Sequence, residues 1–242
     1  MMEQITRNLT HSERHGVNAQ SGTLRAAVFG VNDGLVSNLS LVMGIAGANA
    51  ESKFVLLAGV AGLLAGAFSM GAGEYVSMRV QREVFEKLIA VEKHEQAMLP
   101  EEEQIELQNI YESRGMTREQ ATQISKAVMS NEKLALETHI RDELGLNPDE
   151  LGSPRGAAIS SFAAFVAGAI IPVVPYIFSS GAAAFVSSII LSGLGLLAVG
   201  AALSFVTGKH WVMSSLRMFG IGGSAAIVTY LVGYALGVSV AS

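Results

Sequence analysis

Apolar stretches long enough to cross a bilayer, almost free of charge, constrain the fold of this sequence more than any other feature. Between Leu24 and Ala48 the ionisable residues are Arg25 and Asp33, between Phe54 and Met78 the one acid is Glu74, and from Gly156 to Ser242 only Lys209, His210 and Arg217 carry potential charge. A helix needs about 20 apolar residues to cross a hydrocarbon core of ~30 Å, so each of the first two stretches predicts one span. Glycine and proline divide the C-terminal region into three more, near Gly156 to Phe178, Ala182 to Val206 and Leu216 to Val238. The expectation is an all-α membrane protein of five transmembrane helices, with a helical insert between spans two and three. The corresponding segments are an arm at 1–23, spans one and two at 24–78, the insert at 79–155 and spans three to five at 156–242.

Composition narrows the function classes. Only 15% of residues are charged, against roughly a quarter in soluble domains, and 26 glycines suit closely packed membrane helices. The net charge of -5 argues against nucleic acid as a partner. With no cysteine there is no thiolate metal site. The arm, with His11, Glu13, Arg14 and His15, lacks the apolar run of a signal peptide. Arg14, Arg25, Arg79, Arg82, Arg155, Lys209 and Arg217 fall at one set of span ends and Lys53 at the other, which by the positive-inside rule places the N-terminus and the insert in the cytosol.

The insert reads as a series of helices. No proline occurs between Lys53 and Leu99, so the second span is expected to continue as one helix of about 46 residues, ~70 Å long. Pro100 then starts a new helix, and Ser113-Arg114-Gly115 ends it. Thr117 with Gln120 forms a capping-box pattern. A last helix runs from about Asn131 to Gly145, with Pro148 beyond.

Asp33 is the sharpest chemical signal, because an acid inside a span costs at least ~2.5 kcal/mol and usually faces a cavity or partner. Asn32, Ser37 and Asn38 surround it with donors and acceptors. On span two, Met70, Glu74 and Met78 are spaced by four and share a face. A carboxylate flanked by thioethers suits a divalent transition ion. In the insert, Glu92 with Glu95, Glu103 with Glu106, and His139 with Glu143 each share a helix face. Folded together they offer the ligands of a Mn²⁺ or Fe²⁺ site; left apart they are a solvated face.

Three motifs, Phe29 to Ser37 (Phe-Gly-Val-Asn-Asp-Gly-Leu-Val-Ser), Ala65 to Ser77 (Ala-Gly-Ala-Phe-Ser-Met-Gly-Ala-Gly-Glu-Tyr-Val-Ser) and Arg141 to Leu146 (Arg-Asp-Glu-Leu-Gly-Leu), resemble the vacuolar iron transporter family in its bacterial form. The resemblance implies a five-span homodimer, with the ion pathway between protomers, that moves Fe²⁺ or Mn²⁺ out of the cytosol in exchange for protons. It assigns Asp33 and Met70 to the translocation path, and Glu92, Glu95, Glu103, Glu106 and Glu143 to cytosolic metal-binding helices. Plant and protist members carry an acid where this chain has Gly62 and a glycine where it has Glu74, and His139 and Ile140 replace a methionine pair. Gly30, Gly34, Gly44 and Gly47 leave room for the close packing that a dimer needs.

The reading is therefore a secondary transporter and antiporter, not an enzyme, with metal ligands Asp33, Met70, Glu74, Glu92, Glu95, Glu103, Glu106, His139 and Glu143. No cofactor is tightly bound; Fe²⁺ or Mn²⁺ is cargo, and lipid, protons and a second copy are the partners. Its place is the inner membrane of a bacterium, or a vacuolar-type membrane of a eukaryote. The competing functions are a membrane-anchored, ferritin-like di-iron oxidase, although the insert has no Glu-x-x-His pair, and a metal-sensing membrane protein.

Overall fold

The computed structural model describes residues 26–147 and 152–241. The arm at 1–23, with Arg14, and also Arg25 and Pro148, lie outside the described residues. Among the described residues all regular structure is helical: α1 (Ala26–Gly47), α2 (Ser52–Met98), α3 (Pro100–Ser113), α4 (Arg118–Met129), α5 (Glu132–Asp142), α6 (Pro154–Ala169), α7 (Val174–Phe178), α8 (Gly181–Thr207) and α9 (Trp211–Ala241). The described residues fall into two compact units, one of 77–147 with 152–153 and the other of 26–76 with 154–241. The 47 residues of α2 supply both, since no proline interrupts the helix before Pro100.

Among the described residues four helices are long and apolar enough to cross a membrane: Ala26–Gly47, Ser52–Met98, Gly181–Ser204 and Trp211–Gly237. The protein is thus all-α and multi-span. The predicted third span is not a single helix: 16-residue α6 stops at Ala169, a turn follows, and five-residue α7 begins at Val174. Pro172 and Pro175 are the cause, because each lacks the N–H that would extend the helical ladder. The break leaves the carbonyls of Ala169 and Pro172 without helical donors. Side chains supply them instead: Asn38 Nδ2 donates to Ala169 O at 2.6 Å and Ser188 Oγ to Pro172 O at 2.7 Å. Such repairs are what allow broken helices at membrane depth.

Glycines bring α1 against α6 and α9 at backbone distance. A Cβ on Gly34 would strike the Phe165 carbonyl, one on Gly168 the Val31 carbonyl, one on Gly47 the Tyr230 carbonyl and one on Gly233 the Gly44 carbonyl. Gly30, Gly34, Gly44 and Gly47, expected to leave room for a dimer contact, are thus occupied within the chain, Gly30 and Gly34 against α6 and Gly44 and Gly47 against α9. Small residues drive such contacts because lipid supplies no hydrophobic force between helices. Leu35, Leu39, Val42, Val55, Val173 and Leu196 fill the centre of this unit.

Helices α3 and α4 pack around Leu107, Tyr111 and Ala121, with Val128 against them. Each helix start has its own device. Pro100 opens α3, Thr117 and Gln120 close the predicted capping box on α4, and Asn131 Oδ1 accepts from Leu134 N at 3.1 Å on α5. The helix α5 ends three residues before Gly145, whose φ of 63° lets the chain turn there. Arg114 Nη1 meets Asp142 Oδ1 at 2.6 Å and Tyr111 Oη donates to Asp142 Oδ2 at 3.3 Å, so the end of α5 is tied to α3.

Candidate metal centres

In the insert unit, α2 presents Glu92, α3 Glu103, α5 His139 and the C-cap of α5 Glu143. One ligand atom from each lies within 4.8 Å of all the others. Ligands on opposite sides of an ion with bonds of ~2.1 Å are ~4.2 Å apart, so movements of less than an ångström close this set around one ion. Glu92 is 3% exposed, Glu103 5% and His139 0%. Glu92 Oε1 and Glu103 Oε2 have no hydrogen-bond partner. His139 is their nearest cation, with Nδ1 4.0 Å from Glu92 Oε1 and Nε2 3.6 Å from Glu103 Oε2, too far for a hydrogen bond. Buried carboxylate oxygens without one are costly unless something positive meets them.

The electrostatics express that cost. Burial, then the neighbouring charge of Glu143, pushes the Glu92 carboxyl up to about 7. Burial likewise raises Glu103, and burial followed by the charge of Glu106 raises Glu143. Burial alone disfavours the His139 imidazolium, but the Ala135 and Glu103 carbonyls and the nearby carboxylates outweigh it and raise its pKa. His139 Nδ1 lies 2.9 Å from Ala135 O and Nε2 3.2 Å from Glu103 O. Two carbonyl partners call for two N–H donors, so Nε2 must release its proton and turn from Glu103 O before His139 can ligate an ion. Glu95 and Glu106 are exposed and stand outside the four-residue set. Their charges act on it nonetheless, both raising Glu103.

In the membrane unit, Asp33, Ser37, Asn38, Ser69 and Met70 line one open cavity of about 290 Å³, together with Leu41, Gly62, Gly66 and Phe165. The resemblance assigned Asp33 and Met70 to one path, and the two share this wall. Glu74, half-buried one turn beyond Met70, does not line the cavity. Ser37 Oγ turns back to the Asp33 carbonyl of its own helix. Ser69 carried no signal by spacing; only the fold brings it to the wall of the cavity that Asp33 lines.

A mixed carboxylate and imidazole cluster and a carboxylate with a thioether both suit first-row divalent ions. The VIT family model matches residues 24–234. The chain belongs to the VIT family, the vacuolar iron transporters. It is 31% identical over 224 residues to vacuolar iron transporter 2 of Oryza sativa subsp. japonica, covering 91% of this chain and 89% of the relative. The vacuolar iron transporter of Acanthamoeba castellanii is 34% identical over 220 residues, 88% of this chain and 78% of its own. That of Toxoplasma gondii is 33% identical over 242 residues, 95% and 80%. Membership makes this chain a VIT-type divalent metal transporter and not an enzyme, which removes the oxidase reading. Iron and manganese transport, a membrane location and metal binding all follow at the level of the VIT family.

Proposed function

We propose that the protein exports Fe²⁺, Mn²⁺ or both from the cytosol as a homodimer, exchanging the ion for protons. The observation that carries this reading is the convergence of Glu92, Glu103, His139 and Glu143 within 4.8 Å. This cluster captures the ion, with Glu95 and Glu106 adding negative field around it. The cavity of Asp33 and Met70 carries the ion through the bilayer, and Glu74 serves its approach from one turn away. Proton exchange is supported by the carboxyls held above their ordinary range: an ion entering the cluster displaces protons from it.

For topology, α6, its turn and α7 together make the fifth crossing, with the N-terminus and the 79–155 insert on the cytosolic side. The asymmetry of Lys and Arg supports this arrangement. In a bacterium the membrane is the inner one.

The test is reconstitution of the purified protein in liposomes that contain a pH-sensitive dye, with Mn²⁺ added outside. Metal uptake accompanied by proton efflux is expected, and metal uptake without proton movement would reject the exchange. Labelling of a Gln120→Cys variant from outside intact cells would reject the orientation. Full activity in a preparation restricted to monomers would reject the dimer.

A further inference from the structure

Asn38 is 2% exposed on α1, in the wall of the cavity that holds Asp33 and Met70. Its Nδ2 donates to the Ala169 carbonyl at 2.6 Å and to the Gly59 carbonyl at 3.2 Å. Both partners can only accept, so the amide must turn its NH₂ toward them, and a flipped amide would set oxygen against oxygen. The position of Oδ1 is thereby fixed. It is buried and has no hydrogen-bond partner, a costly condition that calls for a reason. Gly62 shares the wall, and a Cβ there would lie 2.9 Å from Oδ1. With no Cβ at Gly62, the atom nearest that point is Leu41 Cδ2, the far end of a flexible side chain, so an ion in the cavity reaches the buried oxygen once Leu41 turns aside.

We propose that Asn38 Oδ1 is an oxygen ligand for the divalent ion in transit, alongside the Asp33 carboxylate and the Met70 thioether. The proposal rests on the transport reading above and adds a ligand to its membrane site. A neutral amide contributes a hard donor without a second charge, so the ion is held but not trapped. A cation on Oδ1 also polarises the amide and strengthens its two N–H bonds. One of these caps the carbonyl freed at the end of α6, so ion occupancy and the broken helix communicate through a single side chain.

The experiment measures Mn²⁺ and Cd²⁺ uptake by the full chain in proteoliposomes, with thermal unfolding measured in parallel. Asn38→Leu should raise the apparent KM for Mn²⁺ by ~10-fold or more and shift preference toward Cd²⁺, the softer ion that the thioether favours. Asn38→Asp keeps an oxygen but loses both donors: unfolding should come at lower temperature while Mn²⁺ preference stays. Ser188→Ala, which uncaps the Pro172 carbonyl away from the cavity wall, should lower stability and leave selectivity unchanged. If Asn38→Leu behaves as wild type, or if the Leu and Asp variants lose transport alike without a change in selectivity, Asn38 is only a clamp on α6 and the proposal is overturned. Should the Leu variant not fold, loss of Mn²⁺ preference in Asn38→Asp overturns it by itself. A wild-type protein that carries neither ion, or an Asp33→Asn variant with normal flux, would refute the transport reading first and this ligand with it.

Discussion

The two candidate metal centres solve opposite problems with different chemistry. In the insert, three carboxylates and an imidazole crowd together; burial and neighbouring negative charge make the carboxyls resist ionisation, while the same carboxylates favour the charged imidazole. In the membrane cavity one carboxylate stands among a thioether, hydroxyls and an amide. A site rich in charge takes an ion at low concentration but competes with protons for it; a site with a single charge binds less tightly and releases. On the proposed function, the contrast teaches how one chain would divide capture from passage: charge density would set affinity in the insert, and its scarcity would permit turnover in the bilayer.

The largest expected effect breaks passage and spares capture. Asp33→Asn should lower Mn²⁺ uptake by ~100-fold or more, because the amide lacks the charge that offsets dehydration of a divalent ion in low dielectric. Calorimetric metal binding by the insert should be unchanged, and a loss of both together would show that the two centres are not independent. The converse follows in size. Changing Glu92, Glu95, Glu103, Glu106 and Glu143 together to Gln should abolish high-affinity binding in calorimetry yet leave transport at high metal concentration, with the apparent KM raised ~10-fold or more. Binding that survives this change would mean that the glutamates are a solvated face.

The pH dependence sharpens the comparison further. The folded cluster holds its carboxyls above their ordinary range, Glu92 at about 7, so between pH ~4.5 and ~7 the folded state binds more protons than the unfolded one. The stabilising contribution of these groups is therefore full at the acid end and lost as pH rises through about 7. Metal-free protein should show a falling insert unfolding temperature over that window, and metal affinity should rise as protons leave. Unfolding scans and proton-release calorimetry at several pH values check both signs; a flat profile would place no protons in the cluster. The smallest effect expected is that of Arg114→Ala, which frees Asp142 beside Glu143. This partly exposed pair contributes about 0.5–1 kcal/mol, and metal affinity should fall two- to threefold in titration, while Asp33-dependent flux at saturating metal stays the same.

The length of α2, its stop at Pro100, the Thr117 capping box and the Asn131 cap were legible because each is local: a proline, a side-chain oxygen three residues from its donor, a run of helix formers. The third span misled for the same reason. Hydropathy over 156–178 ignores Pro172 and Pro175, whose cost is met by Asn38 and Ser188 from distant parts of the chain. Helical spacing raised eight of the nine candidate ligands, all but Asp33, and could not rank them. It offered Glu95 and Glu106 on the same grounds as Glu92 and Glu103, and only packing left the first two exposed and buried the second two.

By itself the sequence determined an all-α, multi-span membrane protein with acids of unusual placement, since bilayer thickness and helix periodicity act on neighbouring residues. The tertiary structure decided which acids meet, which glycines are used inside the chain, and where a buried amide leaves its oxygen without a partner. These depend on contacts between residues far apart in sequence: Asn38 with Ala169, and Glu92 with His139. No local pattern encodes such distances, because they are set only when every helix has found its neighbour.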